Sequence, residues 1–127
     1  MLLIRDRIRS RAVWAGGPVL VVEDDAALRL LCRVNLELEQ IPVREAGTLA
    51  EARAEVAAER PTLVFLDVHL HGEATDLLLE ELRRDAIPVV VVTGSADIRQ
   101  YRDRADEVLA KPFEPGALVA CVRRLVG

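Results

Sequence analysis

The sequence predicts one α/β domain built on a doubly wound, five-stranded parallel sheet of order 2-1-3-4-5, with helices on both faces. Five short apolar segments alternate along the chain with five segments of helical character, the repeat expected of a parallel sheet covered by helices. Right-handed crossovers leave few topologies for such a repeat, and the doubly wound order is the natural one. The 127 residues suffice for one domain whose core needs neither disulfides nor a structural metal.

The first strand and helix are predicted over residues 18–40. Residues 18–23, PVLVVE, form an apolar run of the kind that is buried on both faces of a parallel sheet. Residues 26–40 carry leucines at helical spacing, and Asp25 is placed to cap the amino terminus of that helix. We therefore expect a group of acidic residues where the strand gives way to the helix.

The second strand is expected at residues 41–46, on an edge of the sheet. Pro42 has no N–H to donate to a neighbouring strand, and prolines are therefore confined to edge strands. Thr48 and Glu51 have the spacing of a capping box, which predicts a helix over residues 49–60.

The rest of the chain repeats this alternation three times. In each repeat an apolar run is followed by a polar residue and then by a helical segment. The expected strands are residues 62–66, 88–93 and 107–110. The helices that follow them are expected at residues 75–84, 94–104 and 115–126.

The composition argues against some classes of partner and against some cellular locations. The 17 basic and 21 acidic residues leave a net charge of −4, which argues against nucleic acid as the main partner. No apolar run reaches the length of about 18 residues that a membrane span needs, and the amino-terminal runs are too short for a signal peptide. Cys32 and Cys121 lie in apolar helical patterns without metal-type spacing, so we expect both to be buried thiols in a cytoplasmic protein.

Polar side chains stand at the ends of four of the five predicted strands. Glu23 and Asp24 stand at the end of the first strand, Asp67 at the third, Thr93 at the fourth and Lys111 at the fifth. Ligands of such sheets bind beyond the carboxyl ends of the strands, at the switch point between strands one and three. Clustered carboxylates are suitable ligands for Mg²⁺. With the metal bound, one of these carboxylates can act as a nucleophile toward a phosphoryl group.

Lys111 is the only lysine, whereas arginine supplies every other basic side chain. A compact ammonium binds a phosphoryl oxygen as a point charge in a way that a planar guanidinium does not reproduce. The use of lysine at this one strand end therefore indicates a chemical role.

Four motifs together resemble the receiver domain of bacterial response regulators, in particular single-domain regulators of the chemotaxis type. They are VLVVEDD, LVFLDVHLHG, PVVVVTG and VLAKPF, each on its own strand end and in the family's order. The resemblance covers residues 18–127 and leaves residues 1–17 as an amino-terminal extension. It implies a flavodoxin-like fold and a cytoplasmic phosphoprotein of a two-component signalling system.

The resemblance also implies a Mg²⁺ site. Asp67 matches the phosphoryl-accepting aspartate, and Glu23 and Asp24 match the acidic pair. Asp24 would bind the metal directly, Glu23 mainly through water, and His69 through its backbone carbonyl.

Two further positions match the residues that act on the phosphoryl group. Thr93 matches the switch hydroxyl, and Lys111 would pair with a phosphoryl oxygen, with a cis bond to Pro112. A sensor histidine kinase or a histidine phosphotransfer protein would supply the phosphoryl group. The domain would catalyse only its own phosphorylation and dephosphorylation and would not be an enzyme acting on other substrates.

The sequence departs from the family pattern in two places. In the loop after the acceptor, His71 replaces the usual proline, and Ala74 and Thr75 replace an acidic-glycine pair. Val108 stands where the family carries the aromatic ring that couples the switch hydroxyl to the output face, so the output must differ. His69 and His71 do not suggest a metal pair, because alternate residues of an extended segment point to opposite sides.

No output domain follows Gly127, so we expect a stand-alone receiver that acts by protein–protein contact on a target the sequence does not name. In residues 1–17, Leu3, Ile4, Ile8 and Val13 or Trp14 could form a short amphipathic helix for a partner or for a homodimer. The alternative for so short a basic segment is disorder.

Two other functions compete with this interpretation. Val108 and the altered loop suit a pseudo-receiver, an interaction module that works without phosphorylation. A phosphatase of the haloacid-dehalogenase type also uses an aspartate nucleophile, but it needs a second aspartate two residues later, where His69 stands.

Overall fold

The computed structural model describes residues 14, 16–70 and 72–126, with the backbone alone at residue 95. Five parallel strands form one sheet of order β2-β1-β3-β4-β5, which confirms the predicted topology. The strands are β1 Val19–Val22, β2 Val43–Ala46, β3 Leu63–Asp67, β4 Val89–Gly94 and β5 Glu107–Lys111. The helices are α1 Ala26–Leu38, α2 Leu49–Ala58, α3 Asp76–Arg84, α4 Ile98–Tyr101 and α5 Pro115–Leu125.

Strand alternation divides the core between the two faces of the sheet. Leu20 and Val22 contribute to a core shared with α2, α3 and α4, whereas Val19 and Val21 contribute to a core shared with α1 and α5. Both faces of the central strands are therefore covered, as the continuous apolar runs predict. Cys32 and Cys121 are buried free thiols in the second core, also as predicted.

The capping predictions are confirmed at the first two helices. Asp25 Oδ1 accepts hydrogen bonds from the backbone N–H of Ala27 at 2.9 Å and of Leu28 at 3.2 Å. Thr48 Oγ1 accepts from the Glu51 N–H at 3.1 Å. The return bond differs from a standard capping box, because Glu51 Oε1 accepts from the N–H of Gly47 at 2.7 Å.

The edge position of β2 is confirmed, although the strand begins one residue after Pro42. Pro42 contributes only its carbonyl, which accepts a hydrogen bond from the Val19 N–H at 2.9 Å. The helix predicted at residues 94–104 is wrong in length. It consists of a 3₁₀ turn, Ser95–Asp97, and the single turn of α4, since glycine, serine and aspartate are weak helix formers.

Trp14 is half-buried against the core shared with α1 and α5, and its Nε1 donates to the Gly17 carbonyl at 3.0 Å. It therefore packs on its own domain, contrary to the idea that it is offered to a partner. The other residues of the proposed amphipathic segment, Leu3, Ile4, Ile8 and Val13, lie outside the described residues. Within the described part of the chain, no helix has the length and apolar character needed to cross a membrane.

Candidate functional site

Three carboxylates meet beyond the carboxyl ends of β1 and β3. Val22 pairs with Leu66, so Glu23 follows β1 at the level where Asp67 ends β3. Glu23, Asp24 and Asp67 each place one carboxylate oxygen within 4.8 Å of the other two. This donor set fits a hard divalent cation such as Mg²⁺, which prefers carboxylate oxygens and relieves their mutual repulsion.

Lys111 joins two of these carboxylates. Its Nζ lies 2.9 Å from Glu23 Oε1 and 3.0 Å from Asp67 Oδ2. β5 is separated from β3 by β4, so the long lysine stem carries the amine across a strand to reach the site. The bond from Lys111 to Pro112 is cis, as the family resemblance implied.

The site is buried and electrostatically coupled. Asp67 is 2% exposed and Glu23 is 4% exposed. Burial raises the pKa of the Glu23 carboxyl to about 7; the hydrogen bond from Lys111 opposes this rise and the Asp67 carboxylate adds to it. Burial alone would lower the pKa of Lys111, but its hydrogen bonds to Glu23 and Asp67 raise it above the ordinary lysine value.

The second oxygen of the Asp67 carboxylate is held by the following loop. Asp67 Oδ1 accepts a hydrogen bond from the His69 N–H at 2.9 Å, while Oδ2 faces Lys111. Both oxygens of the carboxylate therefore have a hydrogen-bond partner that fixes their direction.

Thr93 lies at the end of β4 and is fully buried. Its Oγ1 is 3.4 Å from Asp97 Oδ2, a long hydrogen bond. The same Asp97 oxygen lies 2.8 Å from His69 Nε2. Sequence reasoning missed Asp97, because its role depends on how the loops after β3 and β4 approach each other; only the polar run after Thr93 hinted at it.

Similarity to known proteins identifies the family of this chain. The family model described as the response regulator receiver domain matches residues 19–123, most of the chain. The chain belongs to the response regulator receiver family. It is thus a receiver domain of the kind found in bacterial two-component systems.

The relatives of this receiver domain include two transcriptional regulators. The KDP operon transcriptional regulatory protein KdpE of Escherichia coli is 34% identical over 110 residues, which are 83% of this chain and 49% of that protein. The phosphate regulon regulator PhoB of Pseudomonas aeruginosa is 30% identical over 119 residues, 87% of this chain and 52% of that protein. The receiver domain thus spans about half the length of these relatives.

Solved structures show the same fold. The receiver domain of NtrX from Brucella abortus superposes with a TM-score of 0.78 at 29% identity, over 85% of this chain and 97% of that chain. The chemotaxis protein CheY4 of Vibrio cholerae gives a TM-score of 0.77 at 22% identity, over 88% of this chain and all of that one. The second likeness supports the flavodoxin-like fold alone.

The loop after Asp67 departs from the family pattern in two places, and the structure explains the one at Thr75. Thr75, which replaces the usual glycine, is buried, and its Oγ1 donates to the Val68 carbonyl at 3.3 Å. Glu73 Oε2 accepts from the Leu49 N–H at 3.3 Å and ties the loop to the start of α2. Gly72 has φ of +78°, a conformation that favours glycine. His71, the other change, lies outside the described residues.

Val108 lies on β5 and is half-buried against the core shared with α2, α3 and α4. Tyr101 of α4 is buried in the same core, with 6% of its surface exposed. The receiver domain thus has an aromatic ring in this core, but α4 supplies it in place of β5. The position of Tyr101 in the sequence carried no signal of this, since α4 was expected to be a longer polar helix.

Proposed function

We propose that this receiver domain accepts a phosphoryl group on Asp67 from a histidine kinase or a histidine phosphotransfer protein, with Mg²⁺ as cofactor. The observation that carries the proposal is the bridging of buried Glu23 and Asp67 by the Lys111 amine, beside Asp24. A core built only for stability would gain little from three carboxylates and an amine gathered at one sheet edge.

The acidic cluster would hold the metal. Asp24 and Asp67 would offer direct carboxylate ligands, Glu23 a ligand mainly through water, and His69 its backbone carbonyl. A Mg²⁺ ion bound there would neutralise and orient the incoming phosphoryl group. Glu23 would give up its proton on metal binding, because a raised pKa leaves it partly protonated near neutral pH.

Asp67 would act as the nucleophile. A carboxylate oxygen attacks the donor phosphorus, the bond from phosphorus to the donor nitrogen or oxygen breaks, and an acyl phosphate forms. Lys111 would then pair with a phosphoryl oxygen instead of the free carboxylate, and the Thr93 hydroxyl would donate to another. Hydrolysis of the acyl phosphate by water restores Asp67, so the domain would reset itself and act on no other substrate.

Output by protein–protein contact in the cytoplasm is part of the same proposal. The acidic net charge of −4 supports it over nucleic-acid contact by this domain. The relatives KdpE and PhoB are named as transcriptional regulators, a description that concerns those longer proteins. That this chain works as a stand-alone receiver stays a prediction, as do the boundary at residue 18 and homodimerisation.

One observation favours a second candidate, a pseudo-receiver that binds its partner without phosphorylation. Val108 lacks the ring through which the family passes the signal from the switch hydroxyl. In that case Asp67→Asn would leave partner binding unchanged. The family match does not favour the pseudo-receiver in particular. It also does not support the phosphatase alternative, which needs a second aspartate at the position that His69 occupies.

The test is phosphoryl uptake from acetyl phosphate, with and without Mg²⁺, followed by intact-protein mass spectrometry. Wild type should gain one phosphoryl group only with Mg²⁺, and Asp67→Asn should gain none. Asp85→Asn is the matched control, since Asp85 is exposed at the end of α3, and it should label like wild type. Absence of uptake in folded wild type with excess Mg²⁺ would overturn the proposal.

A further inference from the structure

The hydroxyl of Thr93 has its partner on the segment that follows β4. Thr93 is fully buried, and Oγ1 reaches Asp97 Oδ2 at 3.4 Å. A hydroxyl has one hydrogen to donate. If the hydroxyl donates to a phosphoryl oxygen on Asp67, it therefore cannot donate to Asp97 at the same time.

Asp97 also contacts the loop after β3. Its Oδ2 lies 2.8 Å from Nε2 of His69, in the loop after β3. A single carboxylate oxygen thus contacts both the loop that follows the acceptor and the strand end that carries the hydroxyl.

Asp97 stands where the chain enters α4. It is the last residue of the 3₁₀ turn Ser95–Asp97, and it precedes α4 without making a side-chain cap to that helix. Its carboxylate is committed to Thr93 and His69. Since α4 is only four residues long, its position depends on tertiary contacts more than on its own hydrogen bonds.

Tyr101 is the buried residue of α4 and anchors that helix in the core. Arg104 lies over the Tyr101 ring at 5.3 Å from its centroid and pairs with Asp76 at 3.2 Å. Burial raises the pKa of Tyr101, Asp76 raises it further, Arg104 lowers it and the Asp97 charge again raises it. Tyr101 is the last residue of the helical turn that begins directly after Asp97, so a movement of Asp97 would move the backbone that carries the ring.

We propose that Asp97 is a positioning residue that couples the Thr93 hydroxyl to α4, so that phosphorylation of Asp67 displaces the Tyr101 ring. The coupling rests on the proposed function, because it needs a phosphoryl group to draw Thr93 away from Asp97. The signal leaves the site through the 95–97 turn and α4, a route that does not require an aromatic side chain on β5.

Two residues that each occur once in the chain provide the test. Tyr101 is the only tyrosine and Trp14 the only tryptophan, so fluorotyrosine and fluorotryptophan place one ¹⁹F probe each. Trp14 bonds to Gly17, which precedes β1, so it lies near the amino ends of the strands, whereas the acidic cluster lies at their carboxyl ends. Addition of Mg²⁺ and beryllofluoride should shift the Tyr101 resonance and leave the Trp14 resonance in place.

The variants separate coupling from folding. In Asp97→Ala the Tyr101 shift on beryllofluoride addition should fall to the size of the Trp14 shift, while the resonances of protein-bound beryllofluoride remain. Asp97→Asn keeps an acceptor oxygen of the same reach and should retain the shift. If the alanine variant unfolds, Asp97→Leu takes its place, because it removes both acceptor oxygens but fills the space of the carboxylate, and it should lose the Tyr101 shift in the same way.

Each outcome has one meaning. A full Tyr101 shift in folded Asp97→Ala with beryllofluoride bound would overturn the coupling and leave the proposed function intact. A Tyr101 shift absent from wild type despite bound beryllofluoride would do the same. Failure of wild type to bind beryllofluoride in excess Mg²⁺ would overturn both proposals.

Discussion

Lys111 illustrates how one residue type reveals a site. It is the single lysine of the chain, and its amine is shared by Glu23 and Asp67, both buried. Arginine would bring a larger, planar guanidinium into this buried space and would present its charge to the two carboxylates in a different geometry. The choice of lysine is explained by this geometry, because arginine serves at every other basic position.

Lys111→Arg should therefore slow phosphorylation of Asp67 by acetyl phosphate by about 100-fold, the typical effect of losing one preorganised donor at a reacting oxyanion. The measurement is the initial rate of phosphoryl uptake with saturating Mg²⁺. Arg60→Lys is the matched control, since Arg60 is exposed and donates only to backbone carbonyls distant from the site. A rate for Lys111→Arg within a factor of a few of wild type would contradict the assigned role.

The residues of the acidic cluster and Lys111 could be found from the sequence, because the ends of parallel strands bring them together whatever the loops do. Asp97 and Tyr101 could not be found in this way. Their contacts depend on the length of α4 and on the path of two loops, and neither is encoded in a periodic pattern. A polar residue such as Asp97, three residues past the end of β4, has many possible partners until the loops are placed.

Among the helices and strands, too, features with a local sequence signal could be predicted, whereas features set by tertiary contacts could not. Apolar runs located every strand, and caps located the starts of α1 and α2, since these signals are local. The extent of the segment after β4 was wrong because its residues favour turns and α4 is held by Tyr101 in the core. The hydrogen bond from the Gly47 N–H to Glu51 Oε1 likewise depends on the conformation of the turn before α2.

The cap of α2 can be measured on its own. Thr48→Ala removes the oxygen that accepts from the Glu51 N–H and should lower the free energy of unfolding by about 1 kcal/mol. Thr48→Ser keeps an acceptor and should stay within a few tenths of a kcal/mol of wild type. Urea unfolding of both variants checks this, and equal losses in the two would show that the cap is not the cause.

Stability of the domain as a unit should depend on the proton of Glu23. Its pKa rises from 4.5 to about 7 on folding, so the folded state holds the proton more tightly than the unfolded chain. A raised carboxyl pKa contributes stability that is fully present below the unfolded pKa and is lost as pH rises through the folded pKa. Lys111 does not offset this, because its pKa is raised above an already high value.

Without Mg²⁺, the free energy of unfolding should therefore fall between about pH 5 and about pH 8. Urea unfolding in the presence of a chelator at these two pH values measures the fall. Glu23→Gln removes the titrating group and should flatten the dependence, and Mg²⁺ should restore stability to wild type at the higher pH. An equal fall in Glu23→Gln would assign the dependence to another group.

The exposed edge at β2 affects how copies of the domain can associate. Pro42 precedes the strand and has no N–H, and Arg44 on the strand pairs with Glu59 of the next segment at 3.1 Å. Proline and charged side chains on an edge strand discourage the addition of a foreign strand. This margin of the sheet is thus a poor template for aggregation by the addition of a strand from another molecule.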